Sequence, residues 1–259
     1  MMRLFVQSGP VTPNDEAHRL VEKHLRQLAR PDTEITVHRL KRYSPAVTTS
    51  RYATYLFTSQ RIEAAMQAER EGYDAVAVLG TLDIGFFEIR ETVDIPSIFM
   101  TEVLLHAATL LAHKAAFLAM DRPFLERLHE LTKLYGLYER LTPGGCLNLT
   151  IEELRAALKN PGPVIEKLET EARKIAEQGA DILICAPFLI PLLLIENGVT
   201  ELGGIRVLNS LGVLIKMTEM MVDLHRMGIN RGKTGLYAPL PKEELRRIRK
   251  DLGHESPIN

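Results

Sequence analysis

Two short loops hold the residue types best suited to chemistry, and each follows a hydrophobic run. The first loop begins at Gly80, after the run 75–79, and the second ends the run that starts at Asp181. A shorter run near the N-terminus, 4–6, also stops at polar residues. Loop amides at such positions, beside the positive end of a following helix, favour a carboxylate or an enolate oxygen. The candidate substrate-binding residues are Gln7, Ser8, Gly80, Thr81, Leu82, Ala186 and Pro187.

Cys185 ends the second hydrophobic run, and its thiol is the candidate for proton transfer. Such a thiol needs a lowered pKa, which helix ends and backbone donors provide. The alternative is that Cys185 is an inert, small core residue. Cys146 lies in a Pro-Gly-Gly loop and is not expected at the same site.

A polar segment over 41–52 has no clear hydrophobic period and precedes a helix predicted over 57–71. Segments of this length without regular structure are often functional or mobile in a compact fold. Ser50 and Tyr52 are therefore candidates for hydrogen bonding to a polar substrate.

The elements that must position these residues alternate between strand and helix along the chain. This alternation predicts an α/β fold with parallel sheets and right-handed crossovers. The order repeats: a helix, then Gly, one residue, Asp and a hydrophobic strand occur at Gly72 and again at Gly179. We therefore predict two pseudo-symmetric Rossmann-like lobes, with the site in the cleft between them where strand ends converge. The predicted first lobe is 1–103 plus 210–259, and the second is 104–209.

Composition limits the classes of partner. The formal net charge is −1, which favours neither nucleic acid nor an anionic membrane. Two cysteines give no disulfide framework, and the N-terminal residues show neither a signal sequence nor a membrane span, so we expect a cytoplasmic protein. The histidines show no ligand spacing, and the glycine patterns of nucleotide sites are missing, so no metal and no cofactor are expected.

The order and spacing of several motifs resemble the aspartate/glutamate and hydantoin racemase superfamily. The resemblance rests on the segment 72–85, on Ile95, Pro96 and Glu102, on the matching strand from Gly179, and on the tail 233–239. It covers nearly the whole chain. It implies cofactor-independent chemistry at the carbon next to a carboxylate or carbonyl, and a covering segment at the position of the polar loop.

Racemases of that superfamily are expected to use two cysteines, one at the end of each pseudo-equivalent strand. Six residues on from Asp74 and Asp181, these positions hold Gly80 and Pro187 in this chain. Cys185 lies two residues before Pro187. If its thiol faces the cleft, the site is similar to the arylmalonate decarboxylase branch, which uses a single cysteine; if it does not, no thiol acts.

Three functions remain open from the sequence. The first is an isomerase-like enzyme that forms an enolate next to a carboxylate or amide carbonyl, and the second is a decarboxylase. The third is a non-catalytic protein that binds a small carboxylate. The apolar run 188–194 indicates either a ligand less polar than aspartate or glutamate, or a subunit interface. The expected partners are a small carboxylate or cyclic amide and further copies of this chain, as a homodimer or higher homo-oligomer.

Overall fold

The computed structural model describes residues 1–9, 16–42, 44–232, 234–235 and 238–254. Two separate sheets, each flanked by helices, confirm the predicted two-lobed α/β fold. Within the tail that contributed to the family resemblance, Lys233, Leu236 and Tyr237 lie outside the described residues. No helix in the described part of the chain has the length and apolar character to cross a membrane.

The first sheet has four parallel strands in the order β2-β1-β3-β4. Successive side chains point to opposite faces of a strand. Leu4 and Val6 therefore pack in one core cluster, whereas Phe5 belongs to a second cluster on the other face. The strands are β1 (Met2–Ser8), β2 (Thr33–Arg39), β3 (Ala75–Val78) and β4 (Ser97–Phe99).

The second sheet has five strands in the order β6-β5-β7-β9-β8, and β8 is the antiparallel one. Its central strands are apolar on both faces, as expected for a parallel sheet covered by helices on each side. The strands are β5 (Ala115–Ala119), β6 (Gly145–Cys146), β7 (Ile182–Ala186), β8 (Glu201–Leu202) and β9 (Ile205–Val207).

The helices connect the strands in the predicted alternating order. The first three connect strands of the first sheet, the fourth leads to the second sheet, the next four connect strands of the second sheet, and the last two follow β9. They are α1 (Glu16–Leu28), α2 (Arg51–Arg70), α3 (Phe86–Thr92), α4 (Met100–Leu111), α5 (Arg122–Leu134), α6 (Ile151–Ala157), α7 (Gly162–Ala176), α8 (Leu189–Glu196), α9 (Ser210–Arg226) and α10 (Lys242–Asp251).

Helix α2 begins six residues earlier than the sequence pattern predicts, at Arg51. Ser50 caps it, because its hydroxyl accepts a hydrogen bond from the amide of Ala53 at 3.2 Å. A 3₁₀ turn over Pro45–Thr48 precedes the cap. Capping and the short turn give regular structure to a segment whose side chains show no hydrophobic period.

The C-terminal region packs on the first sheet's side of the molecule. Helix α9 contacts α1, α4, β3 and β4. In α10, Leu245 is buried in the same core cluster as Phe57, and Arg249 pairs with Glu63 at 2.5 Å. These contacts are those that the predicted first lobe requires, while the domain boundaries themselves remain a prediction.

Candidate active site

A cavity lies between the two lobes, where the carboxyl ends of β1, β3 and β7 meet. Its volume is about 80 Å³, enough for roughly six water-sized groups. Both lobes contribute side chains, and the walls are mostly apolar. The lining residues are Gly9, Val47, Thr48, Phe57, Arg61, Leu79, Gly80, Thr81, Leu82, Ile84, Phe124, Ile151, Arg155, Pro187, Phe188 and Leu189.

Arg61 brings a positive charge into this cavity from the buried face of α2. Its side chain is 3% exposed, and its Nη1 and Nη2 atoms lie 3.4 Å from Gln7 Oε1 and 3.3 Å from the carbonyl oxygen of Leu79. Both acceptors are neutral, and the Nε atom has no hydrogen-bond partner. Burial lowers the pKa of the Arg61 guanidinium to about 10, although the charge of Asp83 opposes this shift.

Thr81 presents a second polar group without a partner. It is 3% exposed, and its Oγ1 atom makes no hydrogen bond. Buried donors are normally satisfied in folded proteins. This unsatisfied hydroxyl, beside a buried cation, is the arrangement expected of a site that binds an oxygen-bearing anion.

Gly80 makes room for the Arg61 guanidinium. Its φ is 152°, which side-chain-bearing residues rarely adopt, and a Cβ atom added there would lie 3.2 Å from Arg61 Nη2. Glycine is therefore required for the conformation and for the close approach. The arginine occupies the space into which a side chain at position 80 would extend.

Asp83 fixes the turn after β3 and joins the two lobes. Its carboxylate accepts hydrogen bonds from the amides of Thr101 and Glu102 at 2.9 and 2.8 Å, and from the Tyr135 hydroxyl of the second lobe at 2.7 Å. Burial raises the pKa of Asp83 to about 7 despite these donors. Burial and the neighbouring Asp83 also raise the pKa of Tyr135. This network holds the polar side of the cavity in place.

Arg127 of α5 ties the segment above the cavity to the second lobe. Its Nη1 atom donates to the carbonyl oxygens of Val47 and Thr48 at 3.0 and 2.9 Å, and its Nη2 atom donates to Thr54 Oγ1 at 3.0 Å. Burial lowers the pKa of Arg127, with a further contribution from Arg51. Val47 and Thr48 line the cavity, and we call this part of its wall the roof. Arg127 therefore positions the roof.

The predicted substrate-binding residues divide into three groups. Gly80, Thr81, Leu82 and Pro187 line the cavity. Gln7 is fully buried behind Arg61 and contacts its backbone through Nε2 at 2.8 Å. Their contact with a substrate stays a prediction.

The remaining predicted residues lie away from the cavity walls. Ser8 and Ala186 are buried in the strands β1 and β7. Ser50 serves as the cap of α2, because its hydroxyl is engaged by the helix N-terminus. Tyr52 lies in the first turn of α2 and is 72% exposed. These four residues occupy structural or surface positions, and their contact with a substrate stays a prediction.

The Cys185 thiol is placed in the core of the second lobe. It lies on β7 opposite Leu118, is fully buried and is not among the residues that line the cavity. Burial raises the pKa of the Cys185 thiol to about 12. A thiolate nucleophile or base needs the opposite shift. The position and the raised pKa of Cys185 favour the alternative of an inert core residue, and proton transfer by its thiol stays an untested prediction.

Sequence reasoning missed Arg61, Phe124 and Arg155 as lining residues. A signal was present for Arg61. The buried positions of α2 are Phe57, Arg61, Ala64, Ala65, Met66 and Ala68. Arg61 falls on this face at helical spacing, and an arginine among buried apolar positions indicates either a buried ion pair or a binding site.

Two further observations describe the chemistry at hand. In the described part of the chain, no group of three or more His, Cys, Asp or Glu side chains is arranged to hold a metal ion. Arg155, from α6, is half-buried at the opposite wall from β3 and already has an interaction within the chain. The ionisable side chains that line the cavity are thus two arginines.

A cavity at the strand ends between two α/β lobes defines a small-molecule site of the α/β class. The family model for Asp/Glu/Hydantoin racemase matches residues 14–218, and the chain belongs to this family. This confirms the resemblance that the sequence motifs indicate.

Individual proteins agree with the family assignment. A hydantoin racemase from Pseudomonas sp. (strain NS671) is 26% identical over 212 residues, which are 79% of this chain and 80% of the relative. An allantoin racemase structure from Pseudomonas fluorescens has a TM-score of 0.77 at 21% identity, covering 93% of this chain and 98% of that one. Unliganded arylmalonate decarboxylase has a TM-score of 0.53 at 15% identity, covering 86% and 93%. The two structures establish similarity of fold.

Proposed function

We propose that the protein is a cofactor-independent enzyme of the racemase family that acts at the carbon next to a carboxylate or cyclic amide carbonyl. The observation that carries the proposal is the pair of buried, unsatisfied donors, Arg61 Nε and Thr81 Oγ1, at a cavity between the lobes. In an enolate-forming reaction the electron pair of the broken bond moves onto the carbonyl or carboxylate oxygen. Donors already in place stabilise that charge without reorganisation.

The mode of bond breaking follows from the groups that line the cavity. With Gly80 and Pro187 at the two expected cysteine positions and Cys185 buried, no thiol lines the cavity within the described residues. Two-thiol racemisation therefore has little support from this chain. The described lining residues include no carboxylate, imidazole or thiol, so solvent water is the partner for the proton. Either a proton leaves the substrate carbon to water, or the bond to a carboxyl group breaks, CO₂ leaves, and water protonates the carbon of the resulting enolate. Both routes need the same stabilisation at the oxygen.

A second candidate function is binding without catalysis. The same observation favours it: the cavity retains a cation and hydroxyl but presents no thiol. In this reading the family fold serves as a receptor for a small anion, and Arg61 supplies most of the attraction.

The experiment is incubation of the protein with candidate compounds in deuterated water, followed by NMR. The compounds are a hydantoin and allantoin, which the relatives' names indicate, a 2-substituted monocarboxylate, and an arylmalonate. We expect deuterium at the carbon next to the carbonyl for at least one compound, with loss of one carboxyl group in the malonate case. Protein inactivated by heat is the control. Thermal stabilisation by a compound without deuterium incorporation would favour the binding protein and contradict the enzyme.

A further inference from the structure

We propose that Arg61 is the carboxylate anchor of the cleft, so that the natural ligand is a monocarboxylate with a compact apolar substituent on its 2-carbon. The inference rests on the proposed function in one respect, that the cleft is the substrate site. It adds the ligand class and the residue that selects it.

The first argument is charge. A buried guanidinium normally has an acidic partner, because an isolated charge is costly to remove from water. In the described part of the chain, Arg61 has no carboxylate within salt-bridge distance, and its hydrogen-bond acceptors are the Gln7 amide and the Leu79 carbonyl. A ligand carboxylate would provide the missing partner, and the free Nε atom is available to it.

The second argument is preorganisation. Gln7 donates to the Arg61 backbone and accepts from its side chain, so β1 holds the arginine at both ends. The Phe57 ring lies 5.2 Å from the guanidinium carbon, one helical turn away. Gly80 leaves the space that the guanidinium fills. A cation held in this way loses little conformational freedom when an anion binds.

The third argument is the remainder of the cavity. The second lobe also lines the cavity with the apolar side chains of Phe124, Ile151, Phe188 and Leu189. Arg155 also lines the cavity, but it already has an interaction within the chain. A ligand with one carboxylate at Arg61 and an apolar group against the second lobe therefore pairs the buried charge and fills the apolar part of the cavity.

The test uses three small probes that carry no hydrogen on the 2-carbon: 2,2-dimethylpropanoate, its neutral amide, and dimethylmalonate. Binding to the intact protein is measured by calorimetry or by NMR titration. The variants are Arg61→Met, Arg61→Lys and, as a matched control, Arg70→Met, because Arg70 is exposed on the same helix. A charge-assisted hydrogen bond supports an effect of about 10- to 100-fold in Kd.

We expect 2,2-dimethylpropanoate to bind the unaltered protein and Arg70→Met equally, and to bind Arg61→Met at least about 10-fold more weakly. The affinity of Arg61→Lys for 2,2-dimethylpropanoate should lie between these two values, because lysine keeps the charge but lacks the paired donors of the guanidinium. The amide should bind weakly to every variant.

Three results would overturn the inference. These are unaltered carboxylate binding by Arg61→Met, equal binding of acid and amide, and tighter binding of dimethylmalonate than of the monocarboxylate. Because 2,2-dimethylpropanoate and its amide have neither a hydrogen on the 2-carbon nor a second carboxyl group to lose, their binding is independent of turnover. Carboxylate binding that depends on Arg61, without deuterium exchange in any compound, would contradict only the enzymatic function. Exchange in a cyclic amide, without carboxylate binding, would contradict only the anchor.

Discussion

Strands β3 and β7 occupy equivalent positions in the two lobes, and they begin alike but end differently. At the start of each, an Asp exchanges backbone and side-chain hydrogen bonds with the neighbouring strand. Asp74 pairs with Arg3 at 2.8 and 2.7 Å, and Asp181 pairs with Lys114 at 2.9 Å in both bonds. Glycines with positive φ, Gly72 and Gly179, precede the two strands. The repeat in the sequence is therefore a repeat of hydrogen bonding.

At the other end the correspondence is lost. Where the first lobe has Gly80, the second has Pro187, and three residues further on the buried Asp83 corresponds to the buried Ile190. Arg61 and Thr81 thus come from the first lobe, whereas the second lobe contributes Arg155 and much of the apolar wall of the cavity. The comparison teaches that a symmetric frame carries an asymmetric site, because the strand starts maintain the fold whereas the strand ends face the cleft.

The largest effect should come from Asp83, the charge that β7 lacks. Its pKa is raised to about 7 in the folded protein, so its contribution to stability is fully present below about pH 4 and is lost as pH rises to about 7. The free energy of unfolding should fall over this interval by on the order of 4 kcal/mol relative to Asp83→Asn. Urea denaturation at a series of pH values measures this difference.

Tyr135→Phe sharpens the same measurement. The Tyr135 hydroxyl donates to Asp83 and thereby lowers the pKa of that carboxyl. In Tyr135→Phe the pKa of Asp83 should therefore be higher than about 7, so the fall in the free energy of unfolding should continue above pH 7. Identical profiles for wild type and Asp83→Asn would contradict the assignment of the titration to this residue.

The next effect concerns Gly80, where the family's first cysteine is expected. Gly80→Ala should destabilise the protein by about 2–3 kcal/mol, since φ is 152° and the new Cβ lies 3.2 Å from Arg61 Nη2. Gly179→Ala is the matched control, because it has φ 83° with no atom near the added Cβ. Gly179→Ala should lower the free energy of unfolding by less than Gly80→Ala does. Thermal denaturation of Gly80→Ala alone and with Arg61→Met separates backbone strain from the contact, and the double variant should regain part of the loss.

A smaller effect is expected where α5 of the second lobe holds the roof of the cavity. Arg127→Met removes three hydrogen bonds to Val47, Thr48 and Thr54, so stability should fall by about 2 kcal/mol. Hydrogen exchange over 45–54 should accelerate. Arg51→Met is the control, because its ion pair with Glu130 is exposed and such pairs contribute about 0–1 kcal/mol. Equal exchange rates in the two variants would show that Arg127 does not position the roof.

The smallest effect should come from Cys185 at the end of β7. Cys185→Ala removes a buried sulfur from the core, which should cost about 1 kcal/mol and leave ligand affinity and deuterium exchange unchanged. Under native conditions iodoacetamide should modify the half-buried Cys146 and spare Cys185, as mass spectrometry of peptides can show. If Cys185→Ala abolished deuterium exchange, the thiol of Cys185 would have a catalytic role and would not be an inert core group.

The sequence by itself determined the features that depend on local pattern. Alternating hydrophobic runs and helical faces gave the order of strands and helices, and the repeated Gly, residue, Asp pattern located two equivalent strands. Glycine and the following polar residues marked the end of β3, which does line the cavity. Each of these features is encoded within a few residues of itself, through periodicity, caps and turns.

Only the tertiary structure decided which side chains meet. Arg61 acquires its position from Gln7, 54 residues earlier, and Asp83 from Tyr135, 52 residues later. Cys185 is at a strand end in sequence, yet the packing of the second lobe turns its thiol into the core. Burial, and with it the pKa of each group, is set by whatever distant elements pack around a side chain, and spacing along one chain does not specify that.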